Sequence, residues 1–596
     1  MENFRNLHEM FMSRVEKYGD RECYRYKKEG RWIQVSWNQA ASEMKNVALQ
    51  LLRLGINKGD KLCILADTRP EWDTLDRATR ALGVVAVGIY PTHPAEQVKY
   101  IIHHSEAKAI LVQDREQLEK ILQVRAGLPL LQHIFILDDT GCPADAGLVK
   151  FQDLLRAPES SKEQLEKAYR EASQQVGPDD IAMYIYTSGT TGPPKGAMIS
   201  NRNLLAELEL LDDALPLTSE DRALIWLPNS HIFQRALTSL MIYQGTKGAY
   251  SEGVDKLMEN LAEVKPSAFG SVPRIYEKAY SRILAQAEEA SPLKQKIFNW
   301  SHEVGREVSS HLQEGSPIPL GLRLRFGLAR RLVFDKIKAV FGGRVKLVGS
   351  SGAPIAREIL EFFHACGLHA LENYGMTEAT GAITVNKTDN YKFGTVGRAG
   401  KGVEIKLADD GEVLVRGDLV FKGYYKDPEL TAEALDADGW YHTGDVGVLD
   451  EEGFLTITDR KKNIIITAGG KNIAPQNIEN MLKRSVYISQ AMVYGDRRPY
   501  MTCLITLDNE EIMGFAEKQG LAGADLTQLA ENPDVHALIE KEVDEVNQHL
   551  ARYETIKKFK ILPHDFSEEE GELTPTLKVK RKAVIKKYGN LLDAMY

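Results

Sequence analysis

The first half of this chain repeats one local order: a short β-rich run, a stretch with helical periodicity, then another β-rich run. KLCILA (61–66) precedes a helical pattern from about Glu71 to Leu82, and VVAVGIYP, AKAILVQD and HIFILDD follow as further short apolar runs. Such alternation predicts an α/β fold with a largely parallel sheet. The same order returns at RVKLVGSSGAPIAREILEFFHACG. There strand Val345–Val348 leads into a Gly/Ser loop, Pro354 suits the first turn of a helix, and Gly367 suits its C-terminal stop.

Past residue 400 the texture changes. KGVEIKLADDGEVLVRGDLVFKGYY alternates apolar and polar residues around Asp410-Gly411, which predicts an antiparallel hairpin. GFLTITDRKKNIIITAGG reads as strand, charged turn and strand; a helix near Pro475–Lys483, more strands and a basic terminal segment follow. The expected organisation is a large N-terminal domain over 1–459, with α/β sheet layers and a β-rich subdomain. A small α+β domain is expected over 460–596, the boundary falling in the turn Asp459–Lys462.

Composition narrows the function classes. The formal net charge of −9 argues against a surface given over to nucleic acid. Cys23, Cys63, Cys142, Cys366 and Cys503 are scattered without a C-x-x-C pair, so neither a zinc site nor a disulfide framework is expected, and a reducing cytoplasm is the natural setting. Phe4, Leu7, Phe11 and Val15 recur at helical spacing and predict an N-terminal amphipathic helix packed on the body. GVVAVGIYP (83–91) is too short to span a bilayer and reads as a buried strand.

The strongest local signal is YIYTSGTTGPPKGAMIS (184–200), where a β-rich run enters a loop of Thr187, Ser188, Gly189, Thr190, Thr191, Gly192, Pro193, Pro194, Lys195 and Gly196. Glycines let backbone N–H groups turn toward an anion, hydroxyls add donors, and Lys195 adds charge, so the loop suits phosphate. It is not a G-x-x-x-x-G-K-[ST] loop, because Pro194 stands before Lys195.

TSGTTGPPKG resembles the phosphate-loop motif of the adenylate-forming superfamily, which includes acyl- and aryl-CoA synthetases, luciferases and peptide-synthetase adenylation domains. LPNSHIFQR (227–235), SSGAP (350–354), YGMTE (374–378), WYHTGD (440–445), DRKKNIIITAGGKNIAP (459–475) and LTPTLKVKR (573–581) follow in that family's order. SVPRIYEK (271–278) and ITAGGKNIAP are most similar to the long-chain fatty acyl-CoA synthetase branch.

The resemblance implies two half-reactions: a fatty carboxylate attacks the α-phosphate of ATP, and coenzyme A then displaces AMP. By that analogy Thr187 to Lys195 would wrap the β- and γ-phosphates, Glu378 would hold Mg²⁺ and Thr377 would touch the α-phosphate. Tyr374 would stack on adenine, with Gly352 and Ala353 along it. Asp445 would accept hydrogen bonds from both ribose hydroxyls, and Arg460 would contact ribose or phosphate. His231 would gate or position at the acyl entrance, Gly469 and Gly470 would line the pantetheine tunnel, and Lys462 would be the hinge of the mobile domain. Two departures stand out: Asn373 replaces the usual glycine before YG, and Thr576-Leu577-Lys578 replaces the usual Ser-Gly-Lys. The catalytic lysine is therefore Lys578 by alignment, with Lys580 as the alternative.

The expected function is ATP- and Mg²⁺-dependent joining of a medium- or long-chain fatty acid to coenzyme A. Alternatives are an acyl-AMP ligase that loads a carrier protein, an aryl-CoA ligase, and a nucleotide-binding regulator without turnover. The expected setting is the cytoplasm, with peripheral contact at the inner membrane face left open and no nucleic-acid partner. Lys580, Arg581 and Lys582 are expected to be solvated, and Leu577, Val579, Val584 and Ile585 to give the tail ordered structure. Neither chain-length preference nor oligomeric state is carried by any linear motif.

Overall fold

A computed structural model describes residues 4–144, 147–187, 193–468, 471–521, 523–574 and 578–596. Its large unit is layered on two sheets. One has seven strands, ordered Leu148–Lys150, His133–Ile136, Ala107–Val112, Lys61–Leu65, Val85–Ile89, Ile181–Thr187 and Lys195–Ser200. Its neighbours run parallel except for the final pair, which is antiparallel. The other has nine strands, and its central run is parallel: Ala370–Met376, Leu347–Ser350, Ala268–Ser271, Arg222–Ile225, Lys247–Tyr250 and Glu22–Lys28. The α/β architecture expected from the strand–helix alternation is therefore present twice.

Helix Pro70–Leu82 shows why the two sheets share one core. It starts with proline at its first turn, ends at Gly83 with φ 67°, and is buried on every face from Trp72 to Leu82. Its charged residues are tolerated because each finds a partner. Asp76 pairs with Arg80 at 2.6 Å and also with Arg235, while Asp73 accepts from Tyr250 and from the Asn229 amide. The N-terminal helix Leu7–Tyr18 packs on this body as expected. It is capped by the Asn6 side chain and buries Leu7, Met10, Phe11 and Arg14.

Local expectations are corrected in three places. The strand after Arg344 begins at Leu347 and its helix begins at Arg357, so Pro354 lies ahead of the helix. The Ile355 N–H donates to the Glu372 carboxylate at 3.3 Å, which holds that loop off the helix. The hairpin at Asp410-Gly411 forms from Glu404–Leu407 and Glu412–Arg416, but DLVFKGYY does not extend it. Instead the Tyr425 and Lys422 N–H groups donate to Gly196 and Met198 carbonyls, and this segment docks beside the phosphate-loop strands. Arg581 is not solvated: it pairs with Glu479 and donates to the Val493 carbonyl, both partly buried.

The four-stranded antiparallel sheet that carries this hairpin ends with Tyr441–Leu449 and Leu455–Arg460. Beyond it lie the short pair Ile465–Ile466 and Asn472–Ile473, helix Pro475–Leu482, a three-stranded sheet, and the terminal helix Arg581–Asp593. Among the described residues, the apolar clusters of this terminal part contain only residues from Ile465 onward, and no side chain of the large unit enters them. Among the described residues no helix is long and apolar enough to cross a membrane.

Candidate active site

His231, Gly352, Ala353, Thr377 and Glu378 lie just past the C-terminal ends of parallel strands in the nine-stranded sheet, the edge where α/β sheets open a crevice for ligands. Thr187 and Lys195, which flank the segment expected to hold phosphate, are register partners at the edge of the other sheet. Ser188, Gly189, Thr190 and Thr191 lie outside the described residues, as do Gly469 and Gly470.

The YGMTE segment folds back sharply. A Cβ at Gly375 would stand 1.7 Å from the Gly381 carbonyl oxygen, so only glycine allows this approach. That turn places Thr377 in a buried short helical turn and sets Glu378 toward Tyr424, whose hydroxyl donates to Oε1 at 2.9 Å. The Tyr424 ring also lies 5.6 Å from Lys195 Nζ, so it bridges the phosphate loop and the acidic loop. Sequence reasoning missed Tyr424, because it closes a stretch that looks like the tail of a strand.

The residues around Glu378 fit a magnesium ion. One carboxylate, its second oxygen outside that hydrogen bond, suits an ion that keeps waters and takes its other ligands from phosphate. No group of three or more His, Cys, Asp and Glu side chains forms an all-protein cage among the described residues.

Asp445 and Arg460 are register partners on adjacent strands. Arg460 Nε lies 3.1 Å from Asp445 Oδ1, and the Tyr374 hydroxyl donates to Oδ2 at 2.7 Å. Asp445 is only 3% exposed, and its charge raises the Arg460 pKa. Lys462 follows in an exposed turn, and none of the ion pairs among the described residues involves it.

Lys578 enters this cluster from the terminal part of the chain. The Thr574 N–H donates to the Lys578 carbonyl at 2.8 Å and the Lys580 N–H to the Glu572 carbonyl at 2.7 Å, which tether the backbone on both sides of Lys578; Thr576 and Leu577 lie outside the described residues. The lysine is exposed. Even so, the surrounding walls and then Arg460 push its pKa down to about 8, against the opposing pull of Asp445. Lys580 faces elsewhere, toward His93 and Glu568. The two alternatives for the catalytic lysine are thus separated by place: Lys578 stands with Asp445 and Arg460.

His231 does two things that the sequence does not show. It caps helix Ile232–Gln244, its Nδ1 accepting the Phe233 N–H at 3.1 Å. Burial, then the nearby Lys578, lowers its pKa to about 4, so the ring is neutral with its proton on Nε2. It also lines an apolar cavity walled by Phe233, Leu237, Leu240, Met241 and Phe269.

The cavity's axis follows from the strands. His231, Gly270 and Gly352 lie at the C-terminal edge of the nine-stranded sheet, whereas Ala223, Ala268 and Leu347 lie at strand starts on the opposite edge. The cavity is therefore an apolar tunnel that extends along the strands from His231 into the body. Besides His231, Gln234, Ser351 and Asn373, its wall includes a buried carboxyl group, Glu207, which is 1% exposed. Oε1 accepts the Ala382 N–H at 2.7 Å, Oε2 has no hydrogen-bond partner among the described residues, and burial raises its pKa well above the usual carboxylate range.

Residues 11–425 match the AMP-binding enzyme family, and residues 462–596 match the C-terminal domain of those enzymes. The chain belongs to the AMP-binding enzymes. It is 37% identical to the long-chain-fatty-acid–CoA ligase FadD15 of Mycobacterium bovis, over 95% of this chain and 93% of that protein. It is 32% identical to the peroxisomal long chain acyl-CoA synthetase 7 of Arabidopsis thaliana, over 99% of this chain and 86% of that one. The adenylation domain of a carboxylate reductase from Mycobacterium chelonae shares the fold, with a TM-score of 0.76 and 24% identity, covering 100% of this chain and 92% of that one. This AMP-binding enzyme thus has the architecture of adenylate-forming enzymes and the sequence of their long-chain acyl-CoA ligase branch.

Proposed function

We propose that this AMP-binding enzyme activates a long-chain fatty acid to its coenzyme A thioester through an acyl-adenylate. The observation that carries the reading is the apolar tunnel lined at one end by His231, whose ring feels the charge of Lys578, while Lys578 in turn feels Arg460 and Asp445 of the Asp445–Arg460–Tyr374 cluster. The fatty chain would fill the tunnel and leave its carboxylate at the mouth. A carboxylate oxygen forms a bond to the α-phosphorus as the bond to the departing pyrophosphate oxygen breaks. The coenzyme A thiolate then attacks the acyl carbonyl, and AMP leaves.

Lys578 would neutralise charge between the two anions, and the Nε2–H of neutral His231 would orient the carboxylate. Asp445 would hold the ribose, while Thr187, Thr377 and Lys195 would hold phosphate oxygens. Mg²⁺, with Glu378 as its protein ligand, would supply charge neutralisation on the phosphates. Fatty-acid-dependent exchange of pyrophosphate into ATP tests the first step.

A lowered Lys578 pKa has a kinetic consequence. The lysine acts as a cation, so its contribution is complete below about pH 8 and is lost as pH rises through that value. The kcat/KM for adenylation should fall above about pH 8 with the loss of one proton. Lys578→Arg should remove that falling limb even if it lowers the plateau; an unchanged limb would assign it to another group.

The tunnel also predicts chain length. Ala223 and Ala268 face one another in register at its far end. Ala268→Phe should cut activity on a sixteen-carbon acid by about tenfold or more relative to an eight-carbon acid, the range that small changes in an apolar pocket produce. Equal losses on both acids would place the chain elsewhere.

We further propose that the unit over 460–596 swings about Lys462 between the half-reactions, as a body separate from 1–459. Its separate core supports this, as do its polar contacts with the body, Arg274–Asp508 at 3.3 Å, Arg282–Glu510 at 2.7 Å and Arg484–Glu358 at 2.9 Å.

A further inference from the structure

Helix Leu320–Ala329 turns an apolar stripe outward. Leu320 is 74% exposed, Leu324 70% and Leu328 53%, and Leu332 continues the spacing of four at 39%. Residues four apart lie one above another on a helix, so these leucines form a single ridge. They are not the helix's packing face. Leu322, Ala329, Phe334 and Ile337 point inward and are buried in the core, with Phe326 and Val333 packed against it and partly buried. A five-residue π-helical segment, Arg330–Phe334, joins this helix to Asp335–Val340. Leu312, 44% exposed near the end of the preceding helix Pro292–Gln313, adds to the apolar surface.

The charge of the segment that carries the ridge is one-sided. Residues 320–338 contain Arg323, Arg325, Arg330, Arg331, Lys336 and Lys338 against the single acid Asp335, in a chain whose formal net charge is −9. Arg325 is paired with Glu307 at 3.2 Å and Arg330 with Asp335 at 3.6 Å. None of the ion pairs among the described residues involves Arg323, Arg331 or Lys336, and all three are exposed.

We propose that this ridge is a docking face for an anionic lipid surface. Four outward leucines would enter the boundary between headgroups and acyl chains, and the flanking arginines and lysine would meet the lipid phosphates. A second copy of this chain is disfavoured as the occupant, because a two-fold contact would set Arg323 and Arg331 against their own equivalents. The inference is independent of the acyl reading, since it rests on a surface and not on the tunnel.

The test is co-sedimentation with vesicles of phosphatidylcholine containing phosphatidylglycerol, compared with vesicles of phosphatidylcholine alone. The full chain should bind the anionic vesicles, and added salt should weaken binding. The combined variant L320S/L324S/L328S should lose at least about tenfold in binding. The charge variant R323E/R331E should lose a comparable amount. Both should keep the wild-type circular dichroism spectrum and wild-type pyrophosphate exchange with a soluble eight-carbon acid. Equal binding to both vesicle types, or full binding by the leucine variant, would overturn the proposal. So would a concentration-dependent dimer, in sedimentation velocity, that the leucine variant abolishes.

Discussion

Replacing Lys578 by alanine is expected to slow adenylation by about 10²–10³-fold while conversion of preformed acyl-adenylate to thioester stays near the wild-type rate. The separation follows from position. The lysine belongs to the terminal part of the chain, sits with Asp445 and Arg460, and is near enough to His231 to lower its pKa. Only the first half-reaction brings two anions together at that point, and the proposed swing about Lys462 would carry the lysine away before the second. Rapid-quench measurement of each half-reaction separates the outcomes. Equal losses in both steps would make Lys578 a fold residue. No loss in either would turn attention to Lys580, which stands beside His93 and Glu568.

The second large effect is expected at Asp445. Its two oxygens are already occupied, Oδ1 by Arg460 and Oδ2 by the Tyr374 hydroxyl, so the carboxylate is fixed before any nucleotide arrives. A pre-set carboxylate loses little freedom when ribose hydroxyls donate to it, and hydrogen bonds to charged groups are worth roughly 1.5–3 kcal/mol. Asp445→Asn should therefore weaken AMP binding by about 10- to 150-fold in calorimetry. Tyr374→Phe removes one support and leaves the charge, so its effect should be several-fold smaller. Equal effects from the two variants would mean that the tyrosine itself carries the nucleotide.

Much of this enzyme is legible from its residues, and the exceptions have physical causes. The parallel strands announced themselves because strands such as Lys61–Leu65 and Val85–Ile89 are short, apolar and bounded by helical periods. DLVFKGYY misled because alternation shows which faces are apolar but not which neighbour a segment pairs with; here the neighbour is Lys195–Ser200, far away in sequence. Arg581 misled because a basic run looks solvated unless its partners are known, and Glu479 lies about a hundred residues earlier. The site motifs were visible because each is contiguous. The tunnel was not, since Glu207, Ala268 and Ala382 meet only in three dimensions. Glu207 is hidden for that reason, and Tyr424 because its stretch looks like the tail of a strand.

The most direct test of the account is a two-stage assay on the intact enzyme. Pyrophosphate exchange into ATP is measured with and without a long-chain fatty acid, and coenzyme A is then added to the same mixture. Exchange that requires the fatty acid, followed by acyl-CoA and AMP in equal amounts on adding coenzyme A, is the predicted result. No exchange with any carboxylic acid would contradict the adenylation reading, and exchange without thioester would contradict coenzyme A as the acceptor.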